Sequence, residues 1–205
     1  MNDKNQENSV ESEGNPSRRV RADAQRNIDA LLHAALEVFK TSGVDAPVRE
    51  IAEKAGVGIG TIYRHFPQRA DLVAAVYRHE VDACADAAPI LAAEYAPAEA
   101  LARWMQRYAT FVATKRGLAS ALHSEKPSIE TLHAYFNQRL LPAFRTLLDA
   151  AVAAGEVRAD IDADDLLNAV SNLSRQSPGD DPVYARRMVA LLIDGLRYGA
   201  KPHTG

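Results

Sequence analysis

Apolar residues recur at every third or fourth position along most of the 205-residue chain, which is the spacing of one face of an α-helix. Residues 22–41 show it first, with the apolar set Ile28, Leu31, Leu32, Ala35, Leu36, Val38 and Phe39. No alternating apolar and polar run is long enough to predict a β-sheet. Gly and Pro are few while Ala and Leu are many, a composition that favours helix. The pattern predicts an all-α chain.

Two short helices joined by a glycine-containing turn are predicted between residues 47 and 66. Pro47 suits the first turn of a helix, and the following VREIAEKA places its apolar residues on one side. The glycines of residues 56–58 break that helix, and Pro67 stops a second one that covers residues 59–66. Two such helices fit the description of a helix-turn-helix, whose second helix lies in the DNA major groove.

The second helix of this motif has two different faces when successive residues are placed about 100° apart. Ile62 and Phe66 point inward on this projection. Ile59 falls toward the apolar side, although the first turn of a helix can still reach a groove. The outer face carries a cation, a hydroxyl, a phenol and an imidazole, and it consists of Gly60, Thr61, Tyr63, Arg64 and His65. Hydroxyls, phenols and cations donate to phosphate oxygens, so this face is suited to DNA.

The segment VREIAEKAGVGIGTIYRHFPQRADLV resembles the DNA-binding domain of TetR-type (tetracycline-repressor-like) bacterial regulators, and the resemblance extends from about residue 28 to residue 81. The later segments ADIDADDLLNAVSNL and MVALLIDGLR are similar to C-terminal regions of that family. The resemblance implies an N-terminal three-helix DNA-binding domain and a larger C-terminal helical domain for ligand binding and dimerisation. We expect a disordered tail with a basic end at 1–19, the DNA-binding domain with a connecting fourth helix at 20–86, and the C-terminal domain at 87–205.

The resemblance also implies which side chains contact DNA. The positions concerned are Arg49, Ile59, Gly60, Thr61, Tyr63, His65 and Arg69, and the helical projection adds Arg64. Arg49 stands where the family reaches a base or a phosphate. Tyr63 and His65 match an aromatic-x-His pair that grips phosphates, and Arg69 matches a cation that contacts the DNA backbone.

Sequence readout is expected to be sparse. Ile59, Gly60 and Thr61 stand where the family reads base edges, yet Ile59 and Gly60 bring no polar group, so part of the readout would use the thymine methyl. Gly58 stands where the family often has Ser or Thr as the helix N-cap, and glycine costs only a few tenths of a kcal/mol there. Gly60 has no side chain, so the helix end can approach DNA closely.

Charge is concentrated near the motif. The whole chain carries −3, which excludes a basic nucleic-acid coater, but residues 15–70 hold nine Lys or Arg and six Asp or Glu. Part of this excess is the arm RRVRADAQRN, which contains Arg18, Arg19, Arg21 and Arg26. The arm is either a solvated lead-in to the first helix or a segment that lies along phosphates or in a minor groove.

The C-terminal half offers two further predictions. The last two long helices, about 163–173 and 183–198, form an isologous dimer surface, unless their apolar faces pack only within the subunit. The resemblance implies that an unknown small molecule binds in this half. Six side chains are candidates for lining its pocket, namely Trp104, Tyr108, Phe111, His123, Tyr135 and Phe136. The alternative is that this aromatic stripe is core.

Several function classes lack their sequence signals. The single cysteine, Cys84, allows no internal disulfide and fits a reducing cytoplasm. The N-terminus is polar, unlike a signal peptide, and no apolar run of about 18 residues predicts a membrane span. The six histidines show no metal-ligand spacing, and no cofactor motif or nucleophile–base arrangement predicts an enzyme around Trp104 and His123. We expect a cytoplasmic homodimeric repressor that binds a palindromic operator and is released by a ligand. The alternative is an activator or architectural DNA-binding factor without ligand control.

Overall fold

The computed structural model of the protein describes residues 16–121, 126–175 and 182–198. Within these ranges the chain forms helices and no strand, so the all-α prediction is confirmed. The helices are α1 (Pro16–Ser42), α2 (Val48–Ala55), α3 (Ile59–His65), α4 (Arg69–Glu94), α5 (Pro97–Ala121), α6 (Lys126–Ala153), α7 (Ala163–Arg175) and α8 (Pro182–Tyr198).

Local chemistry explains where several helices begin and end. Gly43 and Gly56 follow α1 and α2 with φ of 81° and 67°, the left-handed conformation that glycine adopts without a steric penalty. Asp162 caps α7, because its Oδ1 accepts hydrogen bonds from the backbone N–H groups of Asp164 at 2.8 Å and Asp165 at 3.2 Å. The spacing of Asp162 and Asp165 in the sequence predicts a capping arrangement at the start of this helix, and the cap at Asp162 is confirmed.

Several helices are longer than the sequence predicted. Helix α1 begins at Pro16 rather than near Ala22, so residues 16–19 of the expected tail are helical, while residues 1–15 lie outside the described residues. Helix α4 continues to Glu94 rather than ending near Ala85, with Pro89 inside it. Ala88, one turn beyond Cys84, remains buried, so burial sustains the helix despite the backbone donor that proline lacks. The expected domain boundary at 86/87 therefore falls within a continuous helix.

The C-terminal end of α5 also differs from the prediction. The sequence pattern predicts a helix over residues 97–114 and a separate short piece around Leu118–Leu122, but α5 is continuous from Pro97 to Ala121. Pro142 lies inside α6 without ending it. The loop expected before Pro182 lies outside the described residues.

One continuous apolar core joins the two halves of the molecule through α4. The N-terminal half buries Leu31 and Ile51 beside the first part of α4. The C-terminal half is built around Trp104 and Phe144, both with 0% of their surface exposed. Helix α4 packs against α1 at one end and against α5 and α6 along the rest of its length. The orientation of the N-terminal half therefore depends on how α4 lies on α5 and α6.

Candidate nucleic-acid interface

The turn between α2 and α3 has the predicted geometry. The backbone N–H of Val57 donates to the carbonyl of Ala52 at 3.0 Å beside the left-handed Gly56. Gly58 is extended, with φ −71° and ψ 143°, and its carbonyl accepts the N–H of Thr61 at 2.9 Å to start α3. Gly58 supplies no side-chain cap, as expected for glycine. This is a helix-turn-helix, in which a tight turn fixes α3 against α2.

The inward face of α3 is formed by the two residues that the helical projection selected. Ile62 has 1% of its surface exposed and belongs to the core shared with α2 and α4. Phe66, just beyond the end of α3, is half-buried and packs against the same core. Burying an isoleucine contributes about 1.5–3 kcal/mol, so Ile62 is the main anchor of this short helix.

The outward face of α3 is free for a partner. Tyr63 is 52% exposed and Ile59 is 40% exposed, which is unusual for large side chains in a short helix. Gly60, Arg64 and His65 are also exposed, while Thr61 is half-buried. A Cβ added at Gly60 would meet nothing within 4 Å. The side chains that the sequence assigned to DNA therefore lie together on one accessible face, apart from Arg49 and Arg69.

Arg49 lies on α2 and makes a local ion pair. Its Nε donates to Oε1 of Glu53 at 2.9 Å, one turn further along the helix, and the two side chains are 77% and 66% exposed. An exposed pair of this kind contributes only about 0.3–0.5 kcal/mol. Arg49 can therefore exchange its carboxylate partner for a phosphate at little cost.

Arg69 has a different environment from the one that the sequence predicted. Its Nε donates to the carbonyl oxygen of Val44 at 2.6 Å, and a second guanidinium nitrogen donates to the carbonyl oxygen of Ala46. These two carbonyls belong to the loop between α1 and α2. Arg69 thus ties the first turn of α4 to that loop through two of its five N–H donors.

The basic arm is part of a helix. Arg18, Arg19, Arg21 and Arg26 all lie within α1, which begins at Pro16. Arg26 is exposed, and the side chains of the first three lie outside the described residues. The arm is therefore helical from residue 16 onward, and its placement along phosphates or in a minor groove stays a prediction.

Two protein-family descriptions match the chain, one ending within α4 and the other beginning after it. Residues 31–76 match "Bacterial regulatory proteins, tetR family", and residues 96–198 match "Transcriptional regulator SbtR-like, C-terminal domain". The second match alone covers half of the chain. The chain belongs to the TetR family.

Solved structures of TetR regulators are similar over nearly their whole length. A TetR transcriptional regulator from Streptomyces coelicolor is 40% identical, with 82% of this chain and 97% of that chain covered and a TM-score of 0.74. A TetR transcription regulatory protein from Mycobacterium vanbaalenii is 36% identical, with 87% and 99% covered and a TM-score of 0.68. The family and the two-part helical architecture predicted from the sequence are confirmed.

Curated relatives are similar over a part of the chain only. An HTH-type transcriptional regulator from Staphylococcus aureus is 34% identical over 64 residues, which are 31% of this chain and 35% of that protein. The chain therefore spans about a third of the length of these relatives.

The C-terminal half of this TetR protein packs the predicted pocket residues into a closed aromatic cluster. Trp104 is 0%, Tyr108 1% and Phe111 6% exposed. The ring centroids of Trp104 and Tyr108 are 5.5 Å apart, and those of Phe111 and Phe136 are 6.2 Å apart. The indole N–H of Trp104 donates to the carbonyl oxygen of Cys84 at 2.8 Å. The stripe is core in this conformation, and three cavities in the described part of the chain have other linings.

The other two residues predicted to line the pocket are His123 and Tyr135. His123 lies outside the described residues. The hydroxyl of Tyr135 donates to the carboxylate of Asp82, 2.7 Å from each oxygen, and therefore faces α4. Burial and then the hydrogen bond to Asp82 raise the pKa of Tyr135. This contact with Asp82 was missed, because the sequence does not reveal which turns of α4 and α6 face each other.

The predicted dimer helices expose apolar side chains. On α8, Val183 is 49%, Leu191 65% and Tyr198 81% exposed. A mainly apolar cavity of about 410 Å³ lies beside Leu191, between α7 and α8. Packing within the subunit therefore leaves these three side chains exposed.

The described residues contain no group of three or more His, Cys, Asp or Glu side chains placed to hold a metal ion. Among the helices that the structure describes, none combines the length and the apolar character that crossing a membrane requires.

Proposed function

We propose that the protein is a homodimeric transcriptional repressor that binds a palindromic DNA operator and is released by a small molecule. The observation that carries the proposal is the division of α3 into two faces. Ile62 fixes the helix, while Tyr63, Arg64 and His65 project from the opposite side around the bare backbone of Gly60. A helix so presented is suited to the major groove.

In this proposal the DNA contacts divide into two kinds. Tyr63, Arg64 and His65 bind phosphates, which positions the protein without selecting a sequence. Thr61 and Ile59, with Gly60 between them, face base edges, and Arg49 reaches a base or a phosphate. The hydroxyl of Thr61 and the apolar surface of Ile59 read few features, so we expect specificity to arise partly from DNA shape.

The division of labour along the chain follows from the same proposal. DNA binding belongs to α1–α3 with the first turns of α4, and ligand binding and dimerisation belong to α5–α8. In this proposal the junction between the two parts lies within α4, because α4 is one continuous helix from Arg69 to Glu94. Arg69 then acts by holding the α1–α2 loop, and a direct phosphate contact is not required of it.

Dimerisation is supported by the exposed apolar surface of α8. Leu191 and Tyr198 are two turns apart on the helix and are 65% and 81% exposed. Exposed apolar surface of this kind marks an interaction site when its members are contiguous. A twofold pairing of α7 and α8 would bury it and would place two copies of α3 on one side of the molecule.

Ligand control is supported by the aromatic cluster of α5 and α6, although its closed packing imposes a condition. A ligand has to displace rings such as Phe111 and Phe136, because Trp104 and Tyr108 leave almost no exposed surface. The same packing favours a second candidate function, a DNA-binding regulator without ligand control. Trp104 is the only tryptophan in the chain, so its fluorescence reports directly on this cluster.

The test of DNA recognition compares DNA from upstream of the protein's own gene with random duplexes of equal length, across a salt series. We expect tighter binding to the upstream DNA at every salt concentration. Tyr63→Phe should weaken binding on all sequences, whereas Thr61→Ala should weaken it unevenly. Equal affinity for both DNAs would contradict a specific regulator, since non-specific binding alone also gives a steep salt slope.

Dimerisation and ligand binding are tested separately. Leu191→Glu should yield monomers in analytical ultracentrifugation, whereas Ile90→Glu, at a position 57% exposed on α4, should leave the dimer intact. A Leu191→Glu protein that remains dimeric would exclude the α8 surface as the dimer interface.

The ligand test uses 1-anilinonaphthalene-8-sulfonate as a probe. Energy transfer from Trp104 to the bound probe, together with loss of DNA binding, supports ligand control. DNA binding that the probe and other tested compounds leave unchanged supports the regulator without ligand control.

A further inference from the structure

A polar clasp joins α4 to α6 across two helical turns. Asp82 and Asp86 are one turn apart on α4, and Tyr135 and Arg139 are one turn apart on α6. Asp82 accepts the Tyr135 hydroxyl, and its Oδ1 also accepts Nε of Arg139 at 2.7 Å. A second nitrogen of Arg139 donates to Asp86 Oδ1 at 2.9 Å. We call these four residues the clasp.

The clasp constrains the relative rotation and sliding of α4 and α6 as well as the distance between them. The attraction between the buried apolar faces of α4 and α6 is non-directional, whereas hydrogen bonds require particular partner atoms at particular angles. The clasp matches two successive turns of one helix with two successive turns of the other. Because the Arg139 guanidinium is a rigid fork that bridges both carboxylates, a slide or twist of α4 breaks at least one of its bonds.

Because the clasp lies far along α4 from the DNA-binding part, a small tilt of α4 at the clasp moves the DNA-binding part by a larger distance. Asp82 lies thirteen residues beyond Arg69, where α4 meets the DNA-binding part, so the intervening helix is roughly 20 Å long. A tilt of about 5° at the clasp would move the far end by roughly 2 Å. Opposite movements in two subunits would then change the separation of the recognition helices by about the 3.4 Å rise of one base pair.

We propose that the clasp sets the angle at which α4 carries the DNA-binding part, and thereby selects the half-site separation that the dimer accepts. Asp82, Asp86, Tyr135 and Arg139 are positioning residues in this proposal, since none of them contacts DNA. The spacing consequence rests on the proposed function. The angle itself does not, because all four residues belong to one chain.

The first experiment measures the angle within one chain. Spin labels are attached at Lys54→Cys on α2 and Asp149→Cys on α6, two exposed positions on opposite sides of the clasp. The native Cys84 is buried and does not compete for the label. Labelled protein is diluted into an excess of unlabelled chains, so that pulsed dipolar spectroscopy reports only the distance between the two labels of one chain.

The variant Tyr135→Phe/Arg139→Ala removes every bond of the clasp while keeping the aromatic ring. Arg145→Ala is the matched control, because Arg145 is also on α6 and its pair with Asp164, at 3.4 Å, joins α6 to α7 rather than to α4. We expect the distance distribution to broaden or shift by about 2 Å in the double variant and to stay unchanged in the control. Tyr135→Phe alone, with an intermediate change, serves if the double variant does not fold.

The second experiment selects bound duplexes from a random DNA pool. We expect the native protein to enrich paired half-sites at one separation and the double variant to enrich several. An unchanged distance distribution, or an equal change in the Arg145→Ala control, would overturn the inference even if native selection is normal. Failure of the native protein to enrich paired half-sites would overturn the proposed function and the spacing consequence, while the distance measurement would still decide whether the clasp sets the angle.

Discussion

Arg69 and Arg64 should respond in opposite ways to the same substitution. Arg69 donates to two loop carbonyls, those of Val44 and Ala46. Arg64 is exposed and makes no ion pair with any residue that the structure describes. Arg69→Gln therefore removes a contact inside the protein, whereas Arg64→Gln removes a charge from the surface proposed to bind DNA.

The size of the effect follows from the hydrogen bonds that are lost. Bonds from a charged donor contribute about 1.5–3 kcal/mol each, and the carbonyls recover part of this from water because the site is only partly buried. We expect Arg69→Gln to lower the free energy of unfolding by about 2 kcal/mol, which corresponds to roughly 4–8 °C in Tm for a chain of this size. Arg64→Gln should leave Tm unchanged.

Two measurements separate the roles, namely thermal unfolding by circular dichroism and the slope of log affinity against log salt. Arg64→Gln should weaken DNA binding and reduce the slope by about 1, as loss of one phosphate contact does. Arg69→Gln should leave the slope unchanged below its unfolding temperature. An unchanged Tm with a reduced slope for Arg69→Gln would refute this reasoning and restore the direct phosphate contact that the sequence predicted.

Three further predictions concern single positions. Gly60→Ala should stabilise the protein by about 0.5 kcal/mol in thermal unfolding, because the added Cβ meets nothing within 4 Å, and should still weaken DNA binding. Asp162→Ala should cost about 1 kcal/mol in the same assay, because α7 loses its cap. Burial raises the pKa of the Cys84 thiol to about 12. Iodoacetamide at about pH 8 should therefore modify Cys84 only after denaturation, since the thiolate is the reactive form.

The local features of the fold were predictable because they depend on neighbouring residues. The apolar spacing of α3 identified Ile62 as buried, and the same projection placed Tyr63 and Arg64 outside. The glycine at 56 ended α2 as expected, since few other residues adopt its φ of 67° without strain. Recognition of the family rested on this same dense segment.

The remaining features depend on contacts between distant parts of the chain. Arg69 was assigned to DNA because its charge and position fitted, and nothing in the sequence indicated that carbonyls more than twenty residues earlier would bind it. The partnership of Asp82 with Tyr135 likewise spans 53 residues. The end of α4 was misplaced because Pro89 interrupts the local pattern while tertiary burial of Ala88 sustains the helix.

Two helical glycines connect stability with function in this chain. Gly60 in α3 and Gly195 in α8 are exposed, and a Cβ at either position would meet nothing within 4 Å. Glycine within a helix is less favourable than alanine by roughly 0.5–1 kcal/mol, so neither position is explained by the packing of one subunit. Both lie on surfaces proposed to receive a partner, DNA at Gly60 and a second subunit at Gly195. In the proposed function, close approach of another backbone or of a phosphate would account for both glycines, and Gly195→Ala should accordingly stabilise the monomer while weakening the dimer.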